Sequence, residues 1–163
     1  MIGPVRALLR GARQAVRGRA ARQPFSLIDM EFRDLGWWQA VNSNPKRSWK
    51  DRPWRAVTPK RPTTQLAQTL LTSAWHMARA DAEATAVVYG MSPKVAQLIA
   101  QLRLTDIESI AEYQYRQLRP RWEERPAVWR RLLVAAHADD VASMRSFTVY
   151  ALQLIAGEMI SRS

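Results

Sequence analysis

Basic side chains concentrated in the first third of the chain are the residues with the clearest chemistry. Arginine and lysine bind phosphate through charge-assisted hydrogen bonds, and arginine does so with a planar, two-pronged guanidinium. Residues 1–62 carry 14 Lys+Arg against 4 Asp+Glu, a net charge of +10, whereas residues 63–163 carry 11 against 10, a net charge of +1. The sequence therefore predicts that the first 62 residues contact an anionic partner such as nucleic acid.

These basic residues form two groups that predict different modes of binding. Residues 1–23 contain no acid and only a weak apolar stripe, which predicts an arm that stays mobile until its charges meet phosphate. In residues 24–62, five prolines exclude a long helix, and tryptophans alternate with basic side chains, which predicts a nucleic-acid groove with aromatic contacts. The predicted DNA contacts are Arg6, Arg10, Arg13, Arg17, Arg19, Arg22, Lys46, Arg47, Lys50, Arg52 and Arg55.

Each group also has an alternative interpretation. An Arg-rich, acid-free start is typical of organelle transit peptides as well, although residues 1–25 contain no serine. Residues 24–62, in which a short helix is predicted from Phe25 to Val41, equally fit a strap, meaning a segment that lies across a folded surface, is anchored there by its tryptophans and leaves its charges in solvent. The tryptophans in question are Trp37, Trp38, Trp49 and Trp54.

A helical hairpin is predicted for residues 90–112, where the start and stop signals are clearest. Gly90 suits the left-handed position that ends a helix, and Ser92 caps the next helix ahead of a proline. Thr105 with Glu108 predicts a capping box that starts the second helix. Because that second helix opens with acidic residues, we interpret the hairpin as a packing or interface element and not as a DNA-reading motif.

Three further helices are predicted outside the hairpin. One spans residues 63–89, capped by Thr63 or Thr64, and its alanine-rich face suits close packing within a chain or between two copies. A second spans residues 126–136, and a third begins at residues 139–140, two aspartates that complement the helix dipole. The predicted inner stripe of the third helix is Val141, Met144, Thr148, Ala151, Leu152, Ile155 and Met159.

Several classes of protein are disfavoured by what the sequence lacks. The chain has no cysteine and only two histidines, so we expect no disulfide, no metal site and no cofactor in it. Its apolar runs fall well short of the roughly 20 residues of a membrane span, so we expect a cytoplasmic protein without membrane contact. It shows no Gly-rich phosphate loop and no nucleophile paired with a base, so an enzyme is the least expected class.

Residues 63–160 resemble FlhD, a subunit of the bacterial flagellar master transcriptional activator. The likeness begins at Asp81, nine residues before Gly90, and continues as Gly-Met-x-x-x-x-Ala-x-x-Ile-Ala-x-Leu-x-Leu-x-x-Ile-x-x-Ile-Ala-Glu from Gly90 onward. It extends through Arg121 and Trp122 to the Asp-Asp-Val that opens the last helix. Order and spacing hold almost without gaps, which makes the likeness more specific than the hairpin alone.

The resemblance implies an all-α subunit that forms an intertwined homodimer. It implies a DNA-binding transcriptional activator that works only in a hetero-oligomer with FlhC, a zinc-binding partner, and that has RNA polymerase as a further partner. Members of this pair of families control flagellar genes or conjugative-transfer genes. The resemblance places a partner-binding patch on Arg145, Ser146, Thr148 and Tyr150.

Two departures from the family pattern bear on function. Leu118 stands where the family has an inter-subunit cysteine, so no disulfide can join two copies. The basic residues 1–62 have no counterpart in the flagellar subunit, which favours a diverged member of the kind carried by mobile elements. We therefore predict an extension, residues 1–62, that meets DNA, and an FlhD-like domain, residues 63–163, that assembles.

Two other functional hypotheses remain open at this point. The first is a basic RNA-binding or ribosome-associated structural protein with a cleavable targeting segment at its start. The second is a helical adaptor whose arginines are merely solvated. Deleting residues 1–62 is expected to remove DNA affinity and leave assembly intact if the leading hypothesis holds.

Overall fold

The computed structural model describes residues 3–46 and 60–160. In chain order the elements are α1 (Pro4–Gly11), α2 (Gln14–Ala20), β1 (Ile28–Asp29), α3 (Leu35–Ser43), α4 (Lys60–Ala80), α5 (Ala82–Tyr89), α6 (Pro93–Gln101), α7 (Leu104–Gln114), a short 3-10 helix (Tyr115–Gln117), β2 (Arg119–Pro120), α8 (Pro126–Ala138) and α9 (Val141–Ile160). The described part of the chain is predominantly helical, with β1 and β2 pairing as a two-stranded sheet. The predicted all-α fold class is confirmed.

The chain divides into two compact units. Unit 1 combines residues 1–27 with residues 120–163, and unit 2 comprises residues 28–119. Both units therefore contain residues from either side of the boundary between residues 62 and 63 that charge and family likeness predict. The two compact units therefore do not coincide with the basic segment, residues 1–62, and the family-like segment, residues 63–163.

Unit 1 is built on the pair of helices α8 and α9, against which the first two helices pack. Pro4 occupies the first turn of α1, where its missing amide hydrogen costs no intrahelical bond. Each of the four helices contributes apolar side chains to one core. Its buried members are Val5, Val16, Ala20, Phe25, Trp122, Val128, Trp129, Leu132, Ala135, Ala136, Phe147, Ala151 and Ile155.

Unit 2 centres on α4, which packs against α5, α6 and α7. The segment before α4 belongs to this unit, because Phe32 and Trp38 are fully buried and α3 packs on α6 and α7. The backbone N–H of Ser92 donates to the Phe32 carbonyl at 3.1 Å, and Arg119 Nε donates to Asp29 Oδ2 at 2.7 Å. Residues 28–43 are thus joined to unit 2 by both apolar and polar contacts.

The signals that open the hairpin are confirmed. Gly90 adopts the left-handed conformation, with φ 63° and ψ 33°, at the end of α5. The backbone N–H of Val95 donates to Ser92 Oγ at 3.2 Å, so the serine caps α6. Both features depend only on residues within a few positions in the sequence, which is why the sequence alone predicts them.

The predicted start of the second hairpin helix is wrong by two residues, because the residue that precedes the helix is Arg103 and not Thr105. α7 begins at Leu104, and the carboxylate of Asp106 accepts a hydrogen bond from the backbone N–H of Arg103 at 2.9 Å. The Arg103 guanidinium also donates to Asp106, and these hydrogen bonds hold the pKa of that carboxyl below its ordinary value. Asp106 therefore fills the role that Thr105 and Glu108 were expected to share.

The single helix predicted over residues 63–89 is two helices. α4 already begins at Lys60, and the helical path ends at Ala80 because Asp81 is extended, with φ −156° and ψ 101°. The Asp81 carboxylate accepts a hydrogen bond from the backbone N–H of Ala84 at 2.8 Å and so starts α5. An aspartate that competes for backbone hydrogen bonds interrupts a run that its alanine-rich neighbours would continue.

Replacing Gly90 with alanine is expected to lower the free energy of unfolding by about 1–2 kcal/mol, since a side chain is strained in the left-handed conformation. Gly157→Ala is the matched control, because Gly157 lies within α9 and a Cβ there meets no heavy atom within 4 Å. That control is expected to gain about 0.5–1 kcal/mol from improved helix propensity. Urea denaturation followed by circular dichroism measures the free energy of unfolding of both variants. A change of the same sign and size in the two would contradict the left-handed conformation of Gly90.

Candidate nucleic-acid interface and partner surface

The Arg-rich start of the chain is folded in this structure. Val5 of α1 and Val16 and Ala20 of α2 are buried in the core of unit 1. Their apolar stripe therefore packs against α8, and the arginines lie on the remaining surface of the two short helices. The prediction of an arm without packing contacts is wrong, because apolar positions that look weak in isolation are covered by a distant helix.

Two of the six predicted arginines hold helix ends in place. Arg17 Nη1 donates to the backbone oxygen of Leu9, near the end of α1, at 3.1 Å. Arg19 Nε donates to the backbone oxygen of Ala136, near the end of α8, at 2.6 Å, and lies 3.1 Å from Asp139 Oδ1. Cations that satisfy such carbonyls stabilise helix C-termini. Arg17 and Arg19 therefore have a structural role.

The other arginines of α1 and α2 remain accessible. The side chains of Arg10, Arg13 and Arg22 are exposed and make no hydrogen bond or ion pair with the described residues, whereas the side chain of Arg6 is half-buried. Arg6 and Arg10 are four residues apart on α1 and therefore lie on the same side of the helix. Residues 3–27 contain no acid, so this segment contributes only positive charges of its own, although Asp139 and Asp140 line a pocket together with Arg22. We call Arg10, Arg13 and Arg22 the basic face.

Most of the second basic group, Arg47, Lys50, Arg52 and Arg55, lies outside the described residues. Lys46 is described and exposed, and its Nζ lies 5.4 Å above the ring of Tyr113. Lys60 pairs with Glu112, which raises the pKa of the lysine through a hydrogen bond and charge attraction. The described ends of this basic segment therefore both contact α7.

The two described tryptophans of this region are packing residues. Trp37 and Trp38 are buried in unit 2, with ring centroids 5.1 Å apart in an edge-to-face arrangement. Neither ring is available to stack on a base, so the strap interpretation describes them and the groove interpretation does not. Trp49 and Trp54 lie outside the described residues.

The predicted partner-binding residues on α9 divide into two pairs. Arg145 and Ser146 are exposed. The hydroxyl of Thr148 donates to Gln23 Oε1 at 2.9 Å, and the Arg131 guanidinium lies 4.2 Å above the ring of Tyr150. Arg145 and Ser146 are therefore presented to solvent, whereas Thr148 and Tyr150 are held by contacts within unit 1.

Sequence reasoning missed an apolar surface beside Arg145 and Ser146. Val141, Val149 and Leu152 are 78%, 52% and 39% exposed, respectively. The predicted inner stripe is wrong for Val141 and Leu152, because the buried residues of α9 are Phe147, Ala151 and Ile155. We call Val141, Arg145, Ser146, Val149 and Leu152 the outward face of α9. The available signal was that α9 is apolar around most of its circumference, which indicates a helix with more than one packing partner.

The start of α9 is fixed by Asp140. Its carboxylate accepts hydrogen bonds from the Ser143 side chain and from the Ser143 backbone N–H, both at 2.7 Å. These hydrogen bonds lower the pKa of Asp140 from its ordinary value. The two sequence-predicted aspartates thus have separate roles, since Asp139 contacts Arg19 and Asp140 caps α9.

No group of three or more His, Asp or Glu side chains in the described ranges is arranged to hold a metal ion. No helix in those ranges combines the length and the apolarity needed to cross a membrane.

Comparison with known proteins identifies one family. The model of the FlhD family, described as a flagellar transcriptional activator, matches residues 63–156, more than half of the chain. No curated protein and no solved structure matches. The matched residues run from α4 into α9, so they include the outward face of α9, whereas the basic face lies before them.

Proposed function

Because the chain belongs to the FlhD family of flagellar transcriptional activators, we propose that it is a DNA-contacting subunit of a hetero-oligomeric activator. In this proposal it forms a homodimer, binds an FlhC-like zinc protein and acts with RNA polymerase in the bacterial cytoplasm. Its targets are flagellar or conjugative-transfer genes, and the basic residues ahead of the family domain favour a mobile-element role. The family is one of transcriptional regulators and not of enzymes.

The observation that carries the DNA contact is the basic face. Arg10 lies on α1, Arg13 and Arg22 flank α2, and all three are exposed on a segment that is already packed into the core of unit 1. Charges held on a folded surface lose less conformational entropy on binding than charges on an unstructured arm. Phosphate contacts from this face position the subunit on DNA without reading bases. Arg47, Lys50, Arg52 and Arg55 are proposed as additional contacts on sequence grounds alone.

Deletion of residues 1–62 is not a suitable test of this proposal. It would remove Val5 and Val16 from the core of unit 1 and Phe32 and Trp38 from unit 2. Loss of DNA affinity would then report unfolding. The same packing argues against a cleavable targeting segment over residues 1–23, because cleavage would open the core of unit 1.

The double substitution Arg10→Gln/Arg22→Gln is expected to weaken promoter binding and to reduce the slope of log affinity against log salt by about 2, roughly 1 for each phosphate contact. Both side chains are exposed and make no hydrogen bond with any residue of the described ranges, so the fold should be unchanged. Fluorescence anisotropy of a labelled promoter duplex over a range of salt concentrations, with the FlhC-like partner present, measures the slope.

Lys94→Gln/Arg125→Gln is the charge-matched control for this experiment. Lys94 and Arg125 are also exposed, and the control removes the same number of positive charges, two, from a different part of the surface. Its salt slope should remain close to that of the wild type. Equal salt slopes for the two double variants would mean that DNA affinity depends only on the total charge of the protein. That result would contradict the proposed role of the basic face.

The outward face of α9 is proposed as an assembly surface. Val149→Glu is expected to weaken association with the FlhC-like partner or with a second copy by at least about tenfold, since burying an unpaired carboxylate costs more than 1.4 kcal/mol. Val149 is 52% exposed, so the free chain should keep its stability.

Val87→Glu on α5 is the control for Val149→Glu, because Val87 is an exposed valine, 39% accessible, in a different helix. Light scattering reports association of copies and a pull-down reports the partner. If Val149→Glu and Val87→Glu both leave assembly at the wild-type level, the outward face of α9 is not the assembly surface.

A further inference from the structure

A groove in unit 1 between the first two helices and α8 has an apolar floor that the proposed function does not use, although Arg13 at its rim belongs to the basic face. Leu8 and Ala12 line one wall, Leu133 and Val134 line the other, and the volume is about 910 Å³. Val134 lies in the middle of α8 yet is 70% exposed. A valine left in solvent between two helices indicates that the groove has apolar surface to bury against a partner.

The charged side chains that line the groove are of one sign. Arg13 and Arg130 lie among its lining residues, both side chains are exposed, and no carboxylate of the described residues belongs to the lining. A partner that fills this groove therefore gains by presenting apolar side chains to the floor and acidic side chains to the rim. Charge complementarity selects an acidic occupant.

We propose that the groove binds an acidic amphipathic helix of a partner protein. α1 has 8 residues and is therefore about 12 Å long, which matches roughly two turns of a docked helix with apolar residues at i, i+3 or i+4, and i+7. A nucleic acid is the poorer fit, because no Phe, Tyr or Trp among residues 3–46 and 60–160 lines the groove and its aliphatic floor offers nothing to a base or a phosphate. This inference does not rest on the proposed DNA contact.

Gly11 provides a way to fill the groove without disturbing the fold. It is the last residue of α1 and lines the groove, and a Cβ built there meets no heavy atom within 4 Å. Leucine at this position should therefore extend into the space that a docked helix would occupy. Gly18→Leu is the matched control, since Gly18 lies in α2, is equally open, and is not among the lining residues.

The test uses the full chain and a fluorescent peptide of about 14 residues, with leucines on one helical face and glutamates on the other. A peptide of the same composition in scrambled order and a peptide with lysine in place of glutamate are the probe controls. Wild type and Gly18→Leu are expected to bind the amphipathic acidic peptide and neither control. Gly11→Leu and Arg13→Glu/Arg130→Glu should each weaken binding by roughly tenfold or more, about 1.4 kcal/mol.

Four results would overturn this inference. The first two are that the acidic peptide does not bind, or that its scrambled form binds equally well. The third is that Gly11→Leu and Gly18→Leu change the affinity for the peptide equally. The fourth is that a short DNA duplex binds more tightly than the peptide and that Gly11→Leu blocks this binding. A wild type that self-associates through this surface, and that Gly11→Leu makes monomeric, would likewise assign the groove to a second copy. The peptide assay contains neither DNA nor the FlhC-like protein, so its failure would leave the proposed function untouched.

Discussion

Replacing Trp38 with alanine is expected to lower the free energy of unfolding of unit 2 by about 3–5 kcal/mol. Trp38 is fully buried, stacks on Phe32 with ring centroids 6.0 Å apart, and donates its indole N–H to the Glu31 carbonyl at 3.1 Å. The substitution removes this packing, leaves a cavity between α3 and its neighbours, and removes one of the hydrogen bonds to the Glu31 carbonyl, which keeps the one from the backbone N–H of Asp34. Urea denaturation followed by circular dichroism measures the loss.

Two controls sharpen the interpretation of Trp38→Ala. Trp38→Phe keeps an aromatic ring against Phe32 but loses the indole donor, so its effect should be smaller. Tyr113→Ala removes an aromatic side chain that is 46% exposed and contacts Lys46, and should cost no more than about 1 kcal/mol. A loss below about 1 kcal/mol for Trp38→Ala would contradict the placement of α3 in unit 2.

The effect of Trp38→Ala tests whether the folded family domain of this chain begins before residue 63. Residues 28–43 lie before the segment that matches the FlhD family, residues 63–156, yet Phe32 and Trp38 are core residues of unit 2. A large effect of Trp38→Ala would mean that the family domain of this chain folds together with residues that precede it. A chain shortened to begin at residue 63 should then be less stable than the full chain.

Sequence alone predicts the features of the fold whose causes lie within a few residues. Gly90 and Ser92 act through their own backbone angles and through amides three residues away, and both are as predicted. Where two local signals compete, the sequence does not decide between them. Thr105 and Asp106 are both capping residues, and the helix begins where Asp106 reaches the backbone of Arg103.

Packing between distant segments is the part that sequence does not predict. Val5 and Val16 form a short stripe that looks weak in isolation, and its burial depends on α8, far later in the chain. The candidate DNA contacts illustrate the same limit. Charge counting identifies six arginines in residues 1–23, but only the fold shows that Arg17 and Arg19 are bound to the carbonyl oxygens of helix ends.

Replacing Glu158 with alanine is expected to lower the free energy of unfolding of unit 1 by about 3–5 kcal/mol, because it leaves a buried arginine without its carboxylate. Arg121 is only 4% exposed, and its Nη2 lies 3.5 Å from Glu158 Oε2. Trp122, which has a positive φ of 56°, donates its indole N–H to Glu158 Oε1 at 2.9 Å. Glu158 therefore holds the charge of one residue and the strained backbone of the next.

The double variant Arg121→Met/Glu158→Leu separates these contributions, because it replaces the buried pair with apolar side chains of similar size. Such replacements are often close to neutral, so the double variant should be clearly more stable than Glu158→Ala. Glu158→Gln keeps an acceptor for Trp122 and should fall between them. A double variant that is no more stable than Glu158→Ala would show that packing around Trp122, and not the buried charge, dominates the loss.

Comparison with Val149→Glu then distinguishes stability from assembly. Glu158 acts inside unit 1 at the end of α9, whereas Val149 lies on the outward face of the same helix. Glu158→Ala should lower the unfolding free energy and weaken assembly together, because α9 loses its attachment to Trp122. Val149→Glu should weaken assembly at unchanged stability. If assembly is unaffected by Glu158→Ala but is weakened by Val149→Glu, the outward face of α9 functions without the hydrogen bond between Glu158 and Trp122.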